Sequence, residues 1–255
     1  MRLKDKVAIV TGGAVGIGRE MSVAMANEGA DIVVIDVAGN MDEVSSAVKA
    51  AGRKCLTIKA DISKRAEIQA AVDKAIAELG KIDILVNNAA IYPFAPFLEC
   101  TDEIWNKTVE VGLYGTFLCS QIAAREMVKK GYGKIINIAS TQGILGIPLT
   151  AAYTAVKGAV IALTREMATE LSPAGINVNC IAPGLTLTEH AKSAMPPEVM
   201  AFMGQAVPIK RLADPKDYNG IIVFLASDDS KYATGATFCV DGGIGSTMLP
   251  GLPPG

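Results

Sequence analysis

Tyr153 and Lys157 stand four residues apart in a segment of small and apolar residues, AAYTAVKGAV (151–160). In a helix, a spacing of four places two side chains on one face, close enough to interact. A phenol in water has a pKa of about 10, and a nearby ammonium group favours the phenolate. The pair could therefore exchange a proton near neutral pH, although a surface helix with a packed tyrosine and a solvated lysine shows the same spacing.

Ser140 is a third residue with suitable chemistry. It ends the apolar run KIINIAS (134–140), thirteen residues before Tyr153. If this run is a parallel strand, the Ser140 hydroxyl emerges at the carboxyl edge of the sheet, where open α/β folds bind ligands.

The elements that must position these residues alternate along the chain. Continuous apolar runs rich in β-branched residues are typical of strands covered on both faces, and longer segments with helical periodicity lie between them. Predicted strands are residues 7–10, 32–35, 56–58, 82–86, 135–138, 176–181 and 237–240. Predicted helices include residues 18–28, 66–79, 102–130, 155–171 and 215–226, the last with Asp214 as N-cap and Pro215 as first residue. The alternation predicts an α/β fold: a single-domain, Rossmann-like doubly wound parallel sheet of about seven strands flanked by helices, over residues 1–255.

Residues 185–206 depart from this rhythm. They hold three of the ten methionines, the pair Pro196-Pro197 and little strand pattern, which predicts a substrate lid. The tail LPGLPPG (249–255) is expected to be an extended terminus.

Composition excludes several classes of function. The net charge is −2, with 26 acidic and 24 basic residues, so no basic surplus indicates a nucleic-acid partner. Five scattered cysteines without a C-x-x-C pair argue against disulfides and zinc, and His190 is the only histidine, so no metal site is expected. No segment approaches the roughly 20 apolar residues of a membrane span. The sequence predicts a soluble cytoplasmic protein without metal or membrane contact.

The segment TGGAVGIG (11–18) follows the first predicted strand directly. Gly12, Gly16 and Gly18 remove the β-carbons that would block a tight turn and a close approach of backbone amides to a diphosphate. The helix that follows presents its positive N-terminus to the same anion. Because this run lies between a strand and a helix, it predicts a dinucleotide site rather than a simple glycine turn.

Asp36 lies at the end of the second strand, about twenty residues after the glycine run. There a carboxylate can accept hydrogen bonds from both ribose hydroxyls, whereas a 2′-phosphate would meet its charge. Val15 precedes Gly16, so the loop contains no basic residue; Arg19 follows it but could equally be solvated. These positions predict NAD rather than NADP.

Two further segments belong to the predicted cofactor edge. Asp61 follows the third strand and is placed for the adenine edge, although an N-cap role for the next helix explains it nearly as well. Asn87-Asn88-Ala89-Ala90 follows the fourth strand and offers small residues and amides at the carboxyl edge of the sheet.

From end to end, the chain resembles the short-chain dehydrogenase/reductase family. The matching motifs are Thr11-Gly12-x-x-x-Gly16-x-Gly18, Asn87-Asn88-Ala89-Ala90, Ser140, Tyr153-x-x-x-Lys157, Pro183-Gly184 with Thr188, and Val240-Asp241-Gly242-Gly243. Their order and the types of element that carry them make chance agreement very rare.

The resemblance implies a division of roles. Tyr153 would exchange a proton with the carbonyl or alcohol oxygen as hydride moves, Lys157 would lower the pKa of Tyr153 and bind the nicotinamide ribose, and Ser140 would hydrogen-bond the substrate oxygen. Ile181 would help to hold the nicotinamide end, Asn87 would brace the sheet, and residues 240–243 would lie near the contact of a homotetramer. The cofactor-binding set is Gly12, Val15, Gly16, Ile17, Gly18, Asp36, Val37, Asp61, Ile62, Asn88, Ala89, Ala90, Tyr153, Lys157, Pro183, Gly184, Thr186 and Thr188.

The chain departs from the family pattern at two positions. Ala90 replaces a glycine, which is a small change. Gly112 stands where the family usually carries a catalytic asparagine that helps to hold a water between the lysine and bulk solvent. Water could fill the vacated space, the relay could be weakened, or the residue could have been replaced by design. We expect the first, with measurable activity and no more than about a tenfold change in turnover on Gly112→Asn.

The expected substrate walls are IYPFAPF (91–97), TQGILGIPLT (141–150) and the lid, and they contain no Lys or Arg except Lys192 in the lid. These walls could also be partly ordinary core, but pockets of this kind accept hydrophobic ligands with few polar anchors. We therefore expect a hydrophobic secondary alcohol or its ketone, in keeping with a resemblance of IYPFAPF to bacterial aryl-alkyl alcohol dehydrogenases. Alternatives are an epimerase or dehydratase of the same fold, and a catalytically weakened NADH sensor or scaffold, which Gly112 favours.

Overall fold

A parallel sheet forms the centre of the protein, in a computed structural model that describes residues 1–246. Its strand order is β3-β2-β1-β4-β5-β6-β7, and all paired strands are parallel. The strands are β1 Val7–Thr11, β2 Asp31–Asp36, β3 Cys55–Lys59, β4 Ile84–Asn87, β5 Gly133–Ile138, β6 Ile176–Pro183 and β7 Thr237–Val240. The predicted Rossmann-like sheet is confirmed. The predicted extended terminus, residues 249–255, lies outside the described residues.

Helices cover both faces of the sheet. Within residues 1–246 they are α1 Gly16–Asn27, α2 Asp42–Ala50, α3 Arg65–Leu79, α4 Asp102–Val109, α5 Gly115–Lys130, α6 Ala151–Leu171, α7 Glu189–Ala194, α8 Pro197–Ala206 and α9 Asn219–Ala226. No helix in this part of the chain has both the length and the apolarity needed to cross a bilayer.

The continuous apolarity of the strands has a simple origin. In β1, Ala8 and Val10 belong to one core layer, with α1, α2 and α9. Val7 and Ile9 belong to the opposite layer, with α3, α5 and α6. Because successive side chains of a strand point to opposite faces, a strand buried on both faces must be apolar at every position.

Several boundaries differ from the predicted ones for local reasons. The predicted helix 102–130 contains a π-helical turn, Glu110–Tyr114, between α4 and α5. Strand β4 begins at Ile84 rather than at residue 82. Just before it, the Asp83 carboxylate accepts the backbone N–H of Val7 at 2.9 Å, and Lys130 Nζ donates to the Ile82 carbonyl. The predicted helix 215–226 opens with a 3₁₀ turn, Pro215–Tyr218, with Asp214 as the predicted N-cap.

Other differences concern whole segments. Helix α6 begins at Ala151, four residues before the predicted start, and α1 begins at Gly16. The segment predicted as a lid contains two short helices, α7 and α8. Helix α2 was not predicted.

The chain order reverses beside β1, which pairs with β2 on one side and β4 on the other. At such a switch point the connections leave the sheet in opposite directions and open a crevice at the carboxyl ends of the strands. The fold therefore places the ends of β1, β4, β5 and β6 around one opening.

Candidate active site and cofactor groove

A cavity of about 300 Å³ lies at this carboxyl edge, and Ser140, Tyr153 and Lys157 all line it. The sheet, the start of α6 and the lid helices form its walls. Other lining residues are Ile17, Asn88, Ala90, Tyr92, Phe94, Ile138, Ala139, Gln142, Ile147, Pro183, Gly184, Leu185, Thr186, Thr188, His190, Ala191, Met195, Met200, Met203 and Leu212. The structure therefore brings the three predicted catalytic side chains together.

Ser140 follows β5 at the point where the chain turns into the cavity wall. Its hydroxyl accepts the backbone N–H of Gln142 at 3.1 Å, which orients the side chain. It also hydrogen-bonds the phenol of Tyr153. The remaining hydrogen-bonding capacity of the hydroxyl is available to a ligand oxygen.

Tyr153 lies in the first turn of α6, and its ring meets the Tyr92 ring edge-on with centroids 4.5 Å apart. Burial raises the pKa of Tyr153 above its ordinary value, while the hydrogen bond to Ser140 lowers it by less. The effect of burial on the pKa of Tyr153 is therefore larger than that of the hydrogen bond.

Lys157 lies one helical turn further along α6 and is only 3% exposed. Its Nζ donates to the carbonyl of Ile138 at 2.6 Å and lies 5.4 Å from the centroid of the Tyr153 ring. Burial lowers the pKa of Lys157 to about 8. The lysine is therefore held beside the phenol by a backbone carbonyl of β5.

The glycine loop has the tight geometry that its sequence predicts. Gly12 and Gly16 have φ angles of +62° and +57°, and a β-carbon on Gly12 would lie 2.8 Å from the Cα of Ala89. A β-carbon on Gly18 would lie 2.5 Å from Nδ2 of Asn88. Only glycine fits these positions, and α1 starts at Gly16, so its free N–H groups point into the loop.

Asn88 braces this loop. Its Nδ2 donates to the carbonyls of Thr11 at 3.1 Å and Gly12 at 2.8 Å. The Thr11 hydroxyl in turn accepts the backbone N–H groups of Asn88 and Ala89. The amide of Asn87 instead donates to Ser120 Oγ and Asn137 Oδ1, in agreement with a role in bracing the sheet.

Asp36 ends β2 next to the glycine loop. Its two carboxylate oxygens accept the backbone N–H groups of Ala14 and Ala38, both at 3.0 Å. The neighbouring Val37 is 63% exposed. Each carboxylate oxygen can accept a further hydrogen bond, so Asp36 can both hold the loop and receive a hydroxyl.

Asp61 forms a local turn, with its Oδ1 accepting the backbone N–H and the hydroxyl of Ser63 at 2.9 and 2.7 Å. The N-cap of α3 is Lys64, so the alternative role of Asp61 as an N-cap is wrong. Ile62 is buried and packs toward Gly115.

The predicted cofactor residues divide into two groups. Ile17, Asn88, Ala90, Tyr153, Lys157, Pro183, Gly184, Thr186 and Thr188 line the cavity. Gly12, Val15, Gly16, Gly18, Asp36, Val37, Asp61, Ile62 and Ala89 do not line it and follow the carboxyl ends of β1 to β4. A dinucleotide needs both a site for its diphosphate and a pocket for its reactive ring, and both groups of residues lie at the carboxyl edge of the same sheet.

The lid reaches across this groove. The Thr188 hydroxyl caps α7 by accepting the N–H of Ala191 at 3.1 Å, and Glu189 pairs with Arg19 at 2.8 Å. Arg19 also pairs with Glu43 at 2.9 Å and is only 18% exposed, so it is not a solvated residue. A β-carbon on Gly16 would lie 3.7 Å from Oε2 of Glu189, which places this carboxylate beside the glycine loop.

Three cavity residues were given no individual role from the sequence: Tyr92 and Gln142, which lie in the predicted substrate walls, and His190. Gln142 Nε2 donates to the hydroxyl of Tyr92 at 2.6 Å, and Oε1 is buried without a partner among the described residues. A signal was present, because Gln142 is a polar residue two positions after Ser140 in an apolar wall. Within residues 1–246, no group of three or more His, Cys, Asp and Glu side chains is placed to hold a metal ion.

The glycine loop, residues 11–18, has the features that a nicotinamide dinucleotide needs for its diphosphate. Side chains at Gly12 and Gly18 would fill it, the free N–H groups of α1 face it, and Asp36 lies at its rim. These features suit a diphosphate and a ribose.

Comparison with known proteins agrees with this fit. A family model described as enoyl-(acyl carrier protein) reductase, adh_short_C2, matches residues 12–245. The chain is 39% identical over 240 residues to a cis-4-hydroxycyclohexanecarboxylate dehydrogenase of Sinomonas cyclohexanicum, covering 94% of this chain and 96% of the relative.

Solved structures show the same fold. A short-chain type dehydrogenase/reductase from Mycobacterium marinum superposes with a TM-score of 0.91 at 33% identity, covering 95% of this chain and 96% of the other. An NAD⁺-bound xylitol dehydrogenase superposes with a TM-score of 0.90 at 30% identity, covering 95% and 100%. The chain belongs to the short-chain dehydrogenase/reductase family and is an oxidoreductase that uses a nicotinamide cofactor.

Proposed function

We propose that the protein interconverts a secondary alcohol on an apolar scaffold and the corresponding ketone, with NAD as cofactor. The observation that carries this proposal is the convergence of Ser140, Tyr153 and Lys157 in one largely apolar cavity next to the glycine loop. No such convergence is needed for a protein that only binds the dinucleotide.

The residues divide the chemistry as follows. Bound NAD supplies the acceptor for the carbinol hydride. The hydroxyl of Ser140 donates a hydrogen bond to the reacting oxygen, and the oxygen of Tyr153 takes the alcohol proton during oxidation and returns it during reduction. Lys157 keeps a positive charge near this oxygen and so stabilises the phenolate.

Burial sets the protonation state of this group. Because the pKa of Lys157 is lowered to about 8, the ammonium is only moderately favoured at neutral pH. Burial makes the phenol of Tyr153 harder to ionise than a free phenol, so its proton transfer depends on the nearby lysine.

The walls of the cavity support an apolar, uncharged substrate. They include Tyr92, Phe94, Ile147 and the lid methionines, and Lys157 is the only Lys or Arg among the described lining residues. Cavities of this kind recognise an apolar body with a few polar anchors. The relative from Sinomonas cyclohexanicum is named for a cyclohexane ring that carries a hydroxyl group and a carboxylate. The ring and its hydroxyl group agree with a cyclic secondary alcohol, whereas the proposal of an uncharged substrate rests on the lining of this cavity.

The choice of NAD over NADP follows from Asp36. Its carboxylate is fixed by Ala14 and Ala38 at the rim of the groove, where it can accept ribose hydroxyls and would repel a 2′-phosphate. The basic residue nearest to the glycine loop, Arg19, is held by three carboxylates, those of Glu20, Glu43 and Glu189.

We also propose that the protein is a homo-oligomer, as a tetramer, and that the outer surface of α5 and α6 is one of its contacts. Phe117 and Val128 are 37% and 45% exposed there, in an apolar strip between the two helices. Basic Arg125 and acidic Glu166 border the strip on opposite helices, which suits a twofold contact between identical surfaces. Light scattering coupled to size-exclusion chromatography tests this arrangement.

The enzymatic proposal is tested by the absorbance of NADH. The protein is mixed with NAD and a panel of secondary alcohols, and with NADH and the matching ketones. Growth or loss of the NADH band supports the proposal, and Tyr153→Phe serves as the control. Tight NADH binding without turnover of any member of the panel would instead favour the sensor or scaffold alternative.

A further inference from the structure

Gln142 carries a buried hydrogen-bond acceptor without a partner. The residue is only 6% exposed and lines the cavity. Its Nε2 donates to the Tyr92 hydroxyl at 2.6 Å, and its Oε1 has no partner among the described residues. Buried polar atoms in folded proteins are almost always paired, so an unpaired acceptor in the wall of a ligand cavity indicates a donor on the ligand.

The amide is held in place by the catalytic group. The backbone N–H of Gln142 donates to Ser140 Oγ at 3.1 Å, and the Tyr92 ring packs against the Tyr153 ring at 4.5 Å. Both ends of the Gln142–Tyr92 pair are therefore tied to residues that contact the reacting oxygen. Since the Tyr92 hydroxyl uses the amide N–H, the amide oxygen is the atom left for the ligand.

No described residue of the cavity wall donates a hydrogen bond to Oε1 of Gln142. Phe94 and Ile147 are apolar, and the Nζ of Lys157 is engaged by the Ile138 carbonyl. A neutral donor on the substrate fits this environment better than an ammonium group, because Gln142 is uncharged and could not offset the desolvation of a cation.

We propose that Gln142 determines specificity by accepting a hydrogen bond from a second hydroxyl or N–H group of the substrate, distinct from the hydroxyl that is oxidised. This inference rests on the proposed alcohol dehydrogenase activity and narrows its substrate class to alcohols with a second neutral donor. An alcohol that lacks this donor leaves Oε1 desolvated and unpaired, whereas a matching alcohol pairs it. We expect a discrimination of roughly tenfold to a hundredfold in kcat/KM.

The test compares substrates that differ in one group. With NAD, kcat/KM is measured for cyclohexanol, for the 1,2-, 1,3- and 1,4-cyclohexanediols, and for the corresponding methoxycyclohexanols. At least one diol should exceed cyclohexanol by roughly tenfold or more, and its methyl ether, which accepts but cannot donate, should behave like cyclohexanol. Equal values for diols and cyclohexanol, or an ether as good as its diol, would overturn the role of Oε1.

Variants separate this role from a structural one. Gln142→Met keeps the length of the side chain and removes both polar atoms. It should lower kcat/KM for the preferred diol and raise it for cyclohexanol, so that the ratio approaches one. Tyr92→Phe removes the anchor of the amide and should reduce the ratio in the same direction. If the role of Gln142 were only structural, both substitutions would lower kcat/KM for the diol and for cyclohexanol together, and they would lower the melting temperature. That result would contradict the proposal.

The two proposals fail in different ways. Turnover of alcohols without any preference for a second donor would leave the dehydrogenase activity intact and refute the inference about Gln142. Lack of turnover with every alcohol and ketone would refute both.

Discussion

A β-carbon on Gly112 would lie 2.6 Å from Cγ1 of Val156, so Val156 occupies the space beside Gly112 in the π-helical turn. Both residues are buried, and Val156 directly precedes Lys157. A methyl group of Val156 lines the space beside Gly112, and Lys157 reaches a backbone carbonyl, that of Ile138, directly. A side chain at position 112 would therefore collide with Val156.

This relationship revises the expectation for Gly112→Asn. The new side chain must displace a stiff β-branched residue, so we expect a loss of about 1–3 kcal/mol in the free energy of unfolding. The gain in helix propensity is only a few tenths of a kcal/mol. Turnover should fall because Lys157 is adjacent to Val156.

A double-mutant cycle with Val156→Ala tests the coupling. Gly112→Asn/Val156→Ala should be more stable than the sum of the single changes predicts, by about 0.5–3 kcal/mol in urea denaturation. Additive effects would show that the two positions are independent.

Tyr153→Phe should lower turnover by roughly a hundredfold or more, because it deletes the transferable proton. The ring contact with Tyr92 is kept, so NADH binding and the melting temperature should change little. Tyr232→Phe is the matched control, since Tyr232 is 99% exposed and should leave the kinetics unchanged. Retention of most of the turnover by Tyr153→Phe would refute its acid/base role.

Asp36→Ala should narrow the preference for NAD over NADP. It removes the charge that opposes a 2′-phosphate and the acceptor for the ribose hydroxyls. The ratio of kcat/KM for the two cofactors is the measurement, because the loss of the hydrogen bonds to Ala14 and Ala38 also affects stability. Asp31→Ala, at the start of the same strand, should leave this ratio unchanged. Equal wild-type efficiency with both cofactors would refute the assignment.

Glu189→Gln should tighten NADH binding. The carboxylate of Glu189 lies beside the glycine loop, where it opposes a second anion, and a neutral amide removes that repulsion. An effect of about 1 kcal/mol, roughly fivefold in Kd, is expected at low salt, with a smaller effect at high salt. Glu43→Gln serves as the control. Glu43 also pairs with Arg19, and its side chain is 75% exposed. Weaker NADH binding by Glu189→Gln alone would show that the ion pair with Arg19 supports the bound state.

We expect the stability of the protein to depend on pH through Lys157. Its pKa is about 8 in the folded protein and 10.5 in the unfolded reference. Between about pH 8 and pH 10.5 the unfolded state binds more protons at Lys157 than the folded state does, so the free energy of unfolding rises with pH. This gain in stability is lost as the pH falls through about 8. The difference in unfolding free energy between wild type and Lys157→Met should rise by at most about 1.4 kcal/mol per pH unit in this window. A flat difference would show that the lysine is not buried as described.

Much of the fold was predictable because its rules are local. Apolar residues at every position of a strand, as in Val7 to Val10, indicate burial on both faces, and the glycine spacing 12, 16 and 18 indicates a diphosphate turn. The spacing of Tyr153 and Lys157 likewise places them one helical turn apart. Boundaries were less predictable. A π-helical turn, Glu110–Tyr114, interrupts the predicted helix 102–130, and helical periodicity does not reveal such a turn.

The sequence by itself determined the sheet, the glycine loop and the candidate catalytic residues, since each depends on residue type and on spacing within one or two elements. Only the tertiary structure decided which distant groups lie in contact. Lys157 donates to the carbonyl of Ile138, Arg19 pairs with the carboxylate of Glu189, and Gly112 lies beside a methyl group of Val156. These pairs join segments that lie between 19 and 170 residues apart. Their contacts follow from how helices and lid pack on the sheet, and local periodicity carries no information about that packing.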